Sequence, residues 1–479
     1  MRGVTHSWDA RPAGALIAGT SWTTVPVSPP NDGCCTHWSS GCVNTIGAAI
    51  LAASSHTILQ LKSGTYCNEK YTGAPSTVSE YRNDYVGIVQ KKSYLAIEAA
   101  DPAHIPKIVF DGDGGFRVED SDHITFSHLD IAGPALSITG AEATKDRVRS
   151  TGRDAGGCGK YVHSNCYTEQ GCVWSDIRHY CSGEPYAYFN GIGFRVLSSG
   201  SLTLSDLSIH HCPSAAVHVE QSADVVVKSN LVYGNTWWTS SATSAIAFAL
   251  GHHKIALSSK YVVADNVVYG NRNFIPFYYM HHVAGAIANG VISNYGHEKQ
   301  NYIIDGQGMT LTRPSDYAGT FHFSNNTVFD SGINGLSVQR ATDPAFKITV
   351  EDNRFFDNGA TMAKWEGRQG VGGFVINSGS DKTTSHVTAN SNQISQEAVE
   401  NDHTYQCYGS CSLTSTSSGN THCGGDPAPA FGSSAFVSTD CAAQNARLQA
   451  LRANYPSSQM PRCPRYMPFK EAKGYDCVD

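Results

Sequence analysis

A short repeat that begins with asparagine recurs along the middle of this 479-residue chain. In each copy the Asn precedes strand-forming residues and a Gly or Asn turn, and the copies start at Asn230, Asn266, Asn326 and Asn353. Their spacings are 36, 60 and 27 residues. A period of roughly 20 to 50 residues is typical of a solenoid of stacked coils. The 60-residue gap therefore holds either two coils or one coil with an insertion.

Short β-rich runs surround these copies. Examples are Tyr94 to Glu98, Ile108 to Phe110 and Ile124 to Phe126, which are too short and too close together for βαβ units. Stacked coils would bring equivalent Asn side chains to about 4.8 Å from each other, where the amides satisfy one another and the turn backbone. We therefore expect these asparagines to be structural. The sequence predicts an all-β fold, a right-handed parallel β-helix.

The chain is expected to divide into three parts. These are a Cys-bearing N-terminal extension at 1–44, the β-helix at 45–400 and a Cys-rich C-terminal cover at 401–479. Residues 140–190 carry four Cys without period-2 order, which indicates a disulfide-tied insertion in the β-helix. Residues 45–66 change from a helical to a strand period, which predicts an N-terminal cap helix before the first strand.

A second helix is predicted at Ala442 to Ala453, within the C-terminal cover. A cover is expected there because an open last coil would present an unpaired strand edge. The two helices would then lie near opposite ends of the solenoid.

Cysteine usage indicates an oxidising compartment. The chain has fifteen Cys, an odd number, more than a core of this size needs for stability. A zinc site among Cys158 to Cys181 is disfavoured because no CxxC pair occurs there. The first residues lack a signal-peptide core, so we expect a removed signal and a secreted protein, with weak support from the sequon at Asn325. No run approaches the ~20 apolar residues of a membrane span.

The charge pattern limits the classes of partner. Net charge is −7, and the basic residues are scattered, which argues against a nucleic-acid surface. No P-loop or dinucleotide-binding GxGxxG motif occurs in a strand-to-helix context. An anionic polysaccharide fits, since a few Lys or Arg side chains in a groove suffice to bind it. We therefore expect a monomeric protein whose partner is an anionic polysaccharide.

Several segments resemble a known group. The run that ends in Gly64-Thr65-Tyr66 resembles the opening of pectate-lyase-like β-helices. Segments of bacterial right-handed β-helix repeat proteins are similar to Asn235 to Ile246, Tyr269 to Phe274, Ile304 to Met309 and Asp316 to Gly319. The resemblance implies a carbohydrate-active protein of the polysaccharide-lyase type. Thr310, Leu311 and Thr312 stand where the group tends to carry a pair of Asp, and Thr320 replaces an Arg, so roles of those groups are not carried over.

Residues 233–317 hold the densest set of aromatic and charged side chains. A lyase acting on a uronate must neutralise the carboxylate, remove the C5 proton and protonate the leaving oxygen. Candidates for these catalytic roles are Arg272 and Arg313 for the carboxylate, Lys254, His281 and His282 as base, and Tyr317 or Tyr278 as acid. Predicted substrate-binding residues are Trp237, Trp238, Tyr278, Tyr279 and Asp305.

Two constraints apply to this set. Neighbours in a strand point to opposite faces, so at most one member of the pair His281-His282 or Trp237-Trp238 would face a given groove. Ca²⁺ could replace the arginine with Asp305 as a ligand, but one aspartate without neighbouring carboxylates makes a poor site, and no metal ligand is predicted.

Other functions stay open on the same scaffold. A glycoside hydrolase would need paired carboxylates in the groove, and no recognisable motif supplies them. A uronate epimerase would use much the same residues as a lyase. A non-catalytic glycan-binding or surface-spike β-helix would also suit the Cys-rich parts. The sequence favours an enzyme, a polysaccharide lyase.

Replacement of Arg272 or His282 by Ala is predicted to abolish turnover, because these residues would bind the carboxylate and remove the proton. Thermal stability should stay nearly intact. Activity assays and thermal melts check both statements, and unchanged activity in both variants would discard this site.

Overall fold

Three parallel β-sheets wind around one apolar core in a computed structural model. The structure describes residues 21–29, 45–67, 85–110, 114–133, 191–236, 244–250, 259–271, 306–312, 319–341, 343–359, 371–396, 402–424 and 435–456. Each coil, here called a rung, contributes one strand to each sheet, and every strand pairs in parallel with its equivalent in the next rung. The predicted parallel β-helix is confirmed.

We call the three sheets face 1, face 2 and face 3. Face 1 contains β4 (Tyr85–Gln90), β7 (Gly114–Glu119), β10 (Ile192–Leu197), β13 (Val217–Glu220), β16 (Ser244–Ala249), β19 (Gln307–Thr312), β22 (Asn334–Gln339), the first part of β25 (Val371–Asn390) and β27 (Asp402–Leu413). Face 2 contains β1 (Thr23–Val27), β2 (Thr57–Leu61), β5 (Ser93–Ala99), β8 (Asp122–Ser127), β11 (Gly200–Ser205), β14 (Val225–Lys228), β17 (Ser259–Ala264), β20 (Gly319–Ser324), β23 (Phe346–Glu351) and the last part of β25.

Face 3 is built from the shortest strands, most of them three residues long. It contains β3 (Thr65–Cys67), β6 (Lys107–Val109), β9 (Asp130–Ala132), β12 (Ser208–His210), β15 (Leu231–Tyr233), β18 (Val267–Tyr269), β21 (Thr327–Phe329), β24 (Arg354–Phe356), β26 (Gln393–Ser395), β28 (Asn420–Cys423) and β29 (Phe436–Ser438). Strands β27 to β29 continue the sheets past residue 400, the expected boundary of the β-helix.

Alternation along each strand separates the core from the surface. In β7, Phe116 and Val118 are fully buried while Arg117 between them is partly exposed. Inward aromatic rings stack between rungs, and the centroids of Phe116 and Phe194 lie 5.3 Å apart. Fully burying one such apolar side chain stabilises the fold by roughly 1.5 to 3 kcal/mol.

A helix, α1 (Thr45–Ala52), precedes β2, within the segment where the sequence predicts one. Ile46 and Ile50 are buried in the core cluster. The helix lies beside β4, and Ile50 reaches to within 2.7 Å of where a Cβ at Gly87 would be. In the first rung α1 therefore occupies the place that a strand of face 1 takes in later rungs.

The repeated asparagines form a hydrogen-bonded ladder at the corner between faces 2 and 3. The Oδ1 atom of Asn266 accepts from the backbone N–H of Asn230 at 3.0 Å and from its Nδ2 at 2.9 Å. The Nδ2 atom of Asn266 also donates to the Val227 carbonyl, at 2.9 Å. The same pattern continues through Asn326, Asn353, Asn392 and Asn420. The predicted structural role is confirmed, and the 60-residue gap is one rung with an insertion.

A second ladder stands at the other end of the face 3 strands. It uses the asparagine that follows the Gly turn of the repeat, and Asn235 Nδ2 donates to Asn271 Oδ1 at 3.2 Å. Farther along, Asn358 Oδ1 accepts from the N–H of Ser331 at 3.1 Å. The face 3 strands β15, β18 and β24 therefore have buried asparagines at both of their corners.

The C-terminal helix, α2 (Ala442–Asn454), matches the predicted helix to one residue. It lies along the outer surface of face 3, where Leu448 packs with the stacked rings of Tyr269, Phe329 and Phe356. Arg452 bonds the carboxylates of Asp330 and Asp357, which lie in adjacent rungs. The helix has thirteen residues with a rise of about 1.5 Å each, so its length equals about four rung spacings of about 4.8 Å. The helix thus covers the side of the solenoid.

Two cysteine pairs are bonded in the described part of the chain. Cys407 pairs with Cys411 and Cys423 pairs with Cys441, with Cα atoms 6.0 Å and 5.2 Å apart. The second pair ties β28 of face 3 to the start of α2. The predicted insertion at 140–190 and its cysteines lie outside the described residues. No described helix is long and apolar enough to cross a membrane.

Replacement of Asn326 by Ala should lower the free energy of unfolding by roughly 3 kcal/mol, because it leaves buried donors and acceptors in two neighbouring rungs without partners. Urea unfolding measures the change. The matched control is Asn325→Gly at the exposed neighbouring position, whose φ of +52° suits glycine. Equal effects of the two substitutions would contradict the role given to the ladder.

Candidate functional site

Face 1 is the face that long connections border on both sides. The chain passes from face 3 to face 1 through residues 134–190 and again through 272–305. It passes from face 1 to face 2 through residues 251–258 and 313–318. The corner between faces 2 and 3 takes only two residues in most rungs, as at Ser229-Asn230. By the lengths of these connections, face 1 is where a groove bordered on both sides is expected.

Three basic side chains stand in one column on the outer surface of face 1. Arg117 of β7 is in register with Arg195 of β10, which is in register with His218 of β13. Successive members are separated by one rung, about 4.8 Å between backbones. Farther along the same column the side chains are uncharged, with Ala247 and Thr310 in the next two rungs. The charge on this column is thus confined to three rungs.

A repeated four-residue sequence places the two arginines. Gly-Phe-Arg-Val occurs at 115–118 and at 193–196. The Phe and Val of each copy are buried, so the Arg between them must point outward. A Cβ at Gly193 would lie 2.5 Å from the Ala216 carbonyl oxygen, so glycine is required for the close approach of the next rung.

Two glutamates stand beside the basic column. Glu119 bonds Arg117 with an N–O distance of 2.8 Å. Glu220 lies 3.7 Å from Arg195 and 3.5 Å from Nε2 of His218. We call these five residues the face 1 cluster. Their side chains are between 23% and 36% exposed, so solvent screens their interactions only in part.

The face 1 cluster holds a histidine suited to accept a proton. Burial lowers the pKa of His218 below its ordinary value, while the Glu220 carboxylate raises this pKa and the Arg195 guanidinium lowers it. The imidazole is therefore neutral at neutral pH. If it takes a proton, the nearby carboxylate of Glu220 stabilises the resulting cation.

The predicted site residues all lie outside the described residues. Their positions in the chain nevertheless fall in connections that enter or leave face 1. Trp237 and Trp238 precede β16, and Lys254 follows it. The connection from β18 to β19 contains Arg272, Tyr278, Tyr279, His281, His282 and Asp305, and the connection from β19 to β20 contains Arg313 and Tyr317. Their catalytic and binding roles stay predictions.

The sequence contains a signal for the face 1 cluster that composition and local density do not reveal. The duplicated Gly-Phe-Arg-Val, followed by Val217-His218-Val219, places a basic residue between buried apolar residues three times. The copies at 115–118 and 193–196 are far apart in sequence because residues 134–190 separate their rungs. Alignment by rung is needed to recognise the column.

A metal centre would need several His, Cys, Asp or Glu side chains close together. Within the ranges that the structure describes, no group of three or more His, Cys, Asp or Glu side chains could hold a metal ion. The face 1 cluster itself offers cationic side chains as groups that would meet an anion.

The family described as "right handed beta helix region" has a sequence model that matches residues 107–346, about half of the chain. The match runs from the start of β6 to the start of β23. These residues include the whole face 1 cluster. No curated protein sequence matches the chain.

Solved structures with a similar fold come from several enzyme classes. The A-module of mannuronan C-5 epimerase AlgE6 from Azotobacter vinelandii has 14% identity and a TM-score of 0.43, with coverage of 83% of this chain and 93% of that one. Pectate lyase Pel9A has 11% identity, a TM-score of 0.36 and coverage of 88% and 80%. The catalytic unit of the GH87 α-1,3-glucanase from Streptomyces thermodiastaticus has 11% identity and a TM-score of 0.36, with coverage of 90% of this chain and 68% of that one. At such identities a shared fold does not fix an activity.

The titration of His218 tests the arrangement of the face 1 cluster without any substrate. Its midpoint should lie below 6.5, because burial disfavours the charged imidazole. Glu220→Gln should lower the midpoint further by removing a stabilising negative charge, and Arg195→Gln should raise it. NMR titration of the imidazole Cε1–H measures all three, and shifts of the opposite sign would contradict the contacts.

Proposed function

The chain belongs to the right-handed β-helix family, and we propose that it is a polysaccharide lyase that cleaves an acidic, uronate-containing glycan by β-elimination. The observation that carries this proposal is the column of Arg117, Arg195 and His218 on face 1. It combines two carboxylate-binding guanidinium groups with a neutral proton acceptor one rung away. Those are two of the three roles that the reaction requires.

The first role is binding and electrostatic stabilisation. A uronate carboxylate that meets Arg195 or Arg117 forms a charge-assisted hydrogen bond with a planar guanidinium. When the C5 proton leaves, negative charge develops on that carboxylate, so the guanidinium binds the transition state more strongly than the ground state. Both arginines are positioned in advance by buried neighbours and by Glu119 and Glu220.

The second role is proton transfer. His218 takes the proton from C5, and the electrons of the C5–H bond form a C4=C5 double bond as the C4–O4 bond breaks. The released O4 takes a proton from an acid, for which Tyr278 and Tyr317 stay the predicted donors. Glu220, 3.5 Å from Nε2 of His218, stabilises the imidazolium until the proton passes to solvent. The step is balanced, because His218 gains the C5 proton and O4 leaves with a proton from the acid.

A glycoside hydrolase is the second candidate, because Glu119 and Glu220 share one column of face 1 two rungs apart. Their backbone separation of about 9.6 Å is near the carboxylate spacing of inverting glycosidases. An inverting enzyme needs one of the two carboxyl groups as a proton donor, however, and each glutamate here already lies beside an arginine. The lyase therefore ranks first. We also propose export, from the number of cysteines and the two bonded pairs.

Incubation with a panel of polyuronates should give products with the ultraviolet absorbance of a C4=C5 double bond conjugated to the carboxylate. His218→Ala should lower kcat/KM by about 100-fold or more, because general base catalysis is lost. Activity of the native protein should fall as pH drops below the pKa of His218, which lies under 6.5, because protonation removes the base.

The matched control is His322→Ala, a partly exposed histidine on face 2, which should keep full activity. New reducing ends without unsaturation would instead support the hydrolase. The lyase proposal is wrong if no polyuronate yields unsaturated product, or if His218→Ala retains native activity while folding normally.

A further inference from the structure

A column of aromatic rings stands at the corner between faces 1 and 2 in the first rungs. His56 stacks on Tyr94 with centroids 4.5 Å apart, and Tyr94 stacks on His123 at 4.4 Å. Trp22 meets the other side of His56 edge-on at 5.4 Å. We call these four residues the corner column. None of them belongs to the core or to the face 1 cluster.

The corner column follows an unusual backbone position. His56, Tyr94 and His123 have φ values of +61°, +54° and +53°, a region that residues other than glycine seldom adopt. The next two rungs keep the same conformation at Ser201 and Asp224, with φ of +46° and +52°. The side-chain direction is therefore repeated in five successive rungs, and only the type of side chain changes.

The ring column stops at His123 because Ser201 is small. In the register of face 2, Ser201 follows His123 and Asp224 follows Ser201. The His123 side chain is 43% exposed, and within the described ranges its ring stacks on Tyr94 alone. Among the described residues, the His123 ring lies on one side of the Ser201 position and Asp224 on the other. These two residues lie two rungs apart, about 9.6 Å between backbones.

This space has the dimensions and the chemistry of a binding position for one ring. Stacked rings in the column lie 4.4 to 4.5 Å apart. The distance between His123 and Asp224 therefore has room for one guest ring stacked on His123. Carboxylate oxygens accept hydrogen bonds at both margins: Asp122 bonds the His123 Nδ1 at 2.5 Å, and Asp224 accepts from the Lys260 N–H at 2.8 Å. Each carboxylate keeps further acceptor positions for a ligand.

We propose that the Ser201 position binds one neutral sugar ring, with a C–H face of the ring on His123 and hydroxyl groups that donate to Asp122 and Asp224. An aromatic face combined with carboxylate acceptors suits a ring that is apolar on one face and rich in hydroxyl donors at its edge. A uronate is disfavoured here, because two carboxylates border the position. The site is thus distinct in ligand from the face 1 cluster.

Binding of neutral oligosaccharides tests this site independently of turnover. The probes are xylo-, manno- and cello-oligosaccharides, with oligouronates of equal length as the comparison, and binding is measured by calorimetry and by saturation-transfer NMR. Native protein should bind at least one neutral series, and the oligouronates should not displace it, because they would bind at the face 1 cluster. His123→Ala should weaken that binding by about tenfold, since it removes the stacking face.

A ring added at position 201 should occupy the space itself. Ser201→Tyr is expected to extend the column and abolish binding, while Ser229→Tyr, at an exposed position with φ of +55° on another corner, leaves binding unchanged. Thermal melts confirm that both variants fold.

The proposal is overturned if no neutral oligosaccharide binds, if Ser201→Tyr binds as tightly as the native protein, or if His218→Ala loses this binding too. The last variant separates the two sites. If His218→Ala loses lyase activity and still binds neutral sugar, the result supports both proposals. If the native protein has lyase activity but binds no neutral sugar, only the corner site is overturned.

Discussion

The spacing of hydrogen-bonded parallel strands places every side chain about 4.8 Å from its equivalent in the next rung. The side chain at each position must therefore be compatible with the side chains at the same position in the rungs before and after it. Apolar side chains do so by packing, and aromatic rings by stacking. Buried amides do so because each asparagine both donates and accepts, as in the ladder from Asn230 to Asn420. Charged groups cannot, and they need partners from an adjacent column or element.

The charged parts of the molecule show how that need is met. Asp330 and Asp357 lie in adjacent rungs and share Arg452, which α2 brings to them from outside the sheets. On face 1 the two stacked arginines are each placed beside a glutamate. In the first case two carboxylates bond one arginine, which a helix brings to them. In the second each arginine lies beside one glutamate, on the face that has long connections at both borders. The number of carboxylate partners and the position on the solenoid distinguish the structural ion pairs from the candidate site.

Local sequence patterns were sufficient for the fold. The Asn repeat predicted the ladder and the solenoid because the same short motif recurs in successive rungs. The helical periods predicted both helices because a helix depends on residues close together in the chain. The site is different. Arg117 and Arg195 are adjacent in space and 78 residues apart in sequence, since a long connection separates their rungs. Side-chain density along the chain therefore favours residues 233–317, whereas the face 1 cluster is defined by the register of its strands.

The asparagine ladder also has a direction. Every Nδ2 donates toward the C-terminal end, from Asn230 onward. The first acceptor is used by the N–H of Leu207, and the last donor reaches the carbonyl of Ala435. The amides thus form one polarised chain, closed by backbone groups at both termini, in which each bond strengthens the next. A duplicated coil can enter the interior of such a chain with every polar atom still satisfied, whereas a coil appended at either end would need a new terminator. Lengthening of this solenoid during evolution is accordingly easiest from within.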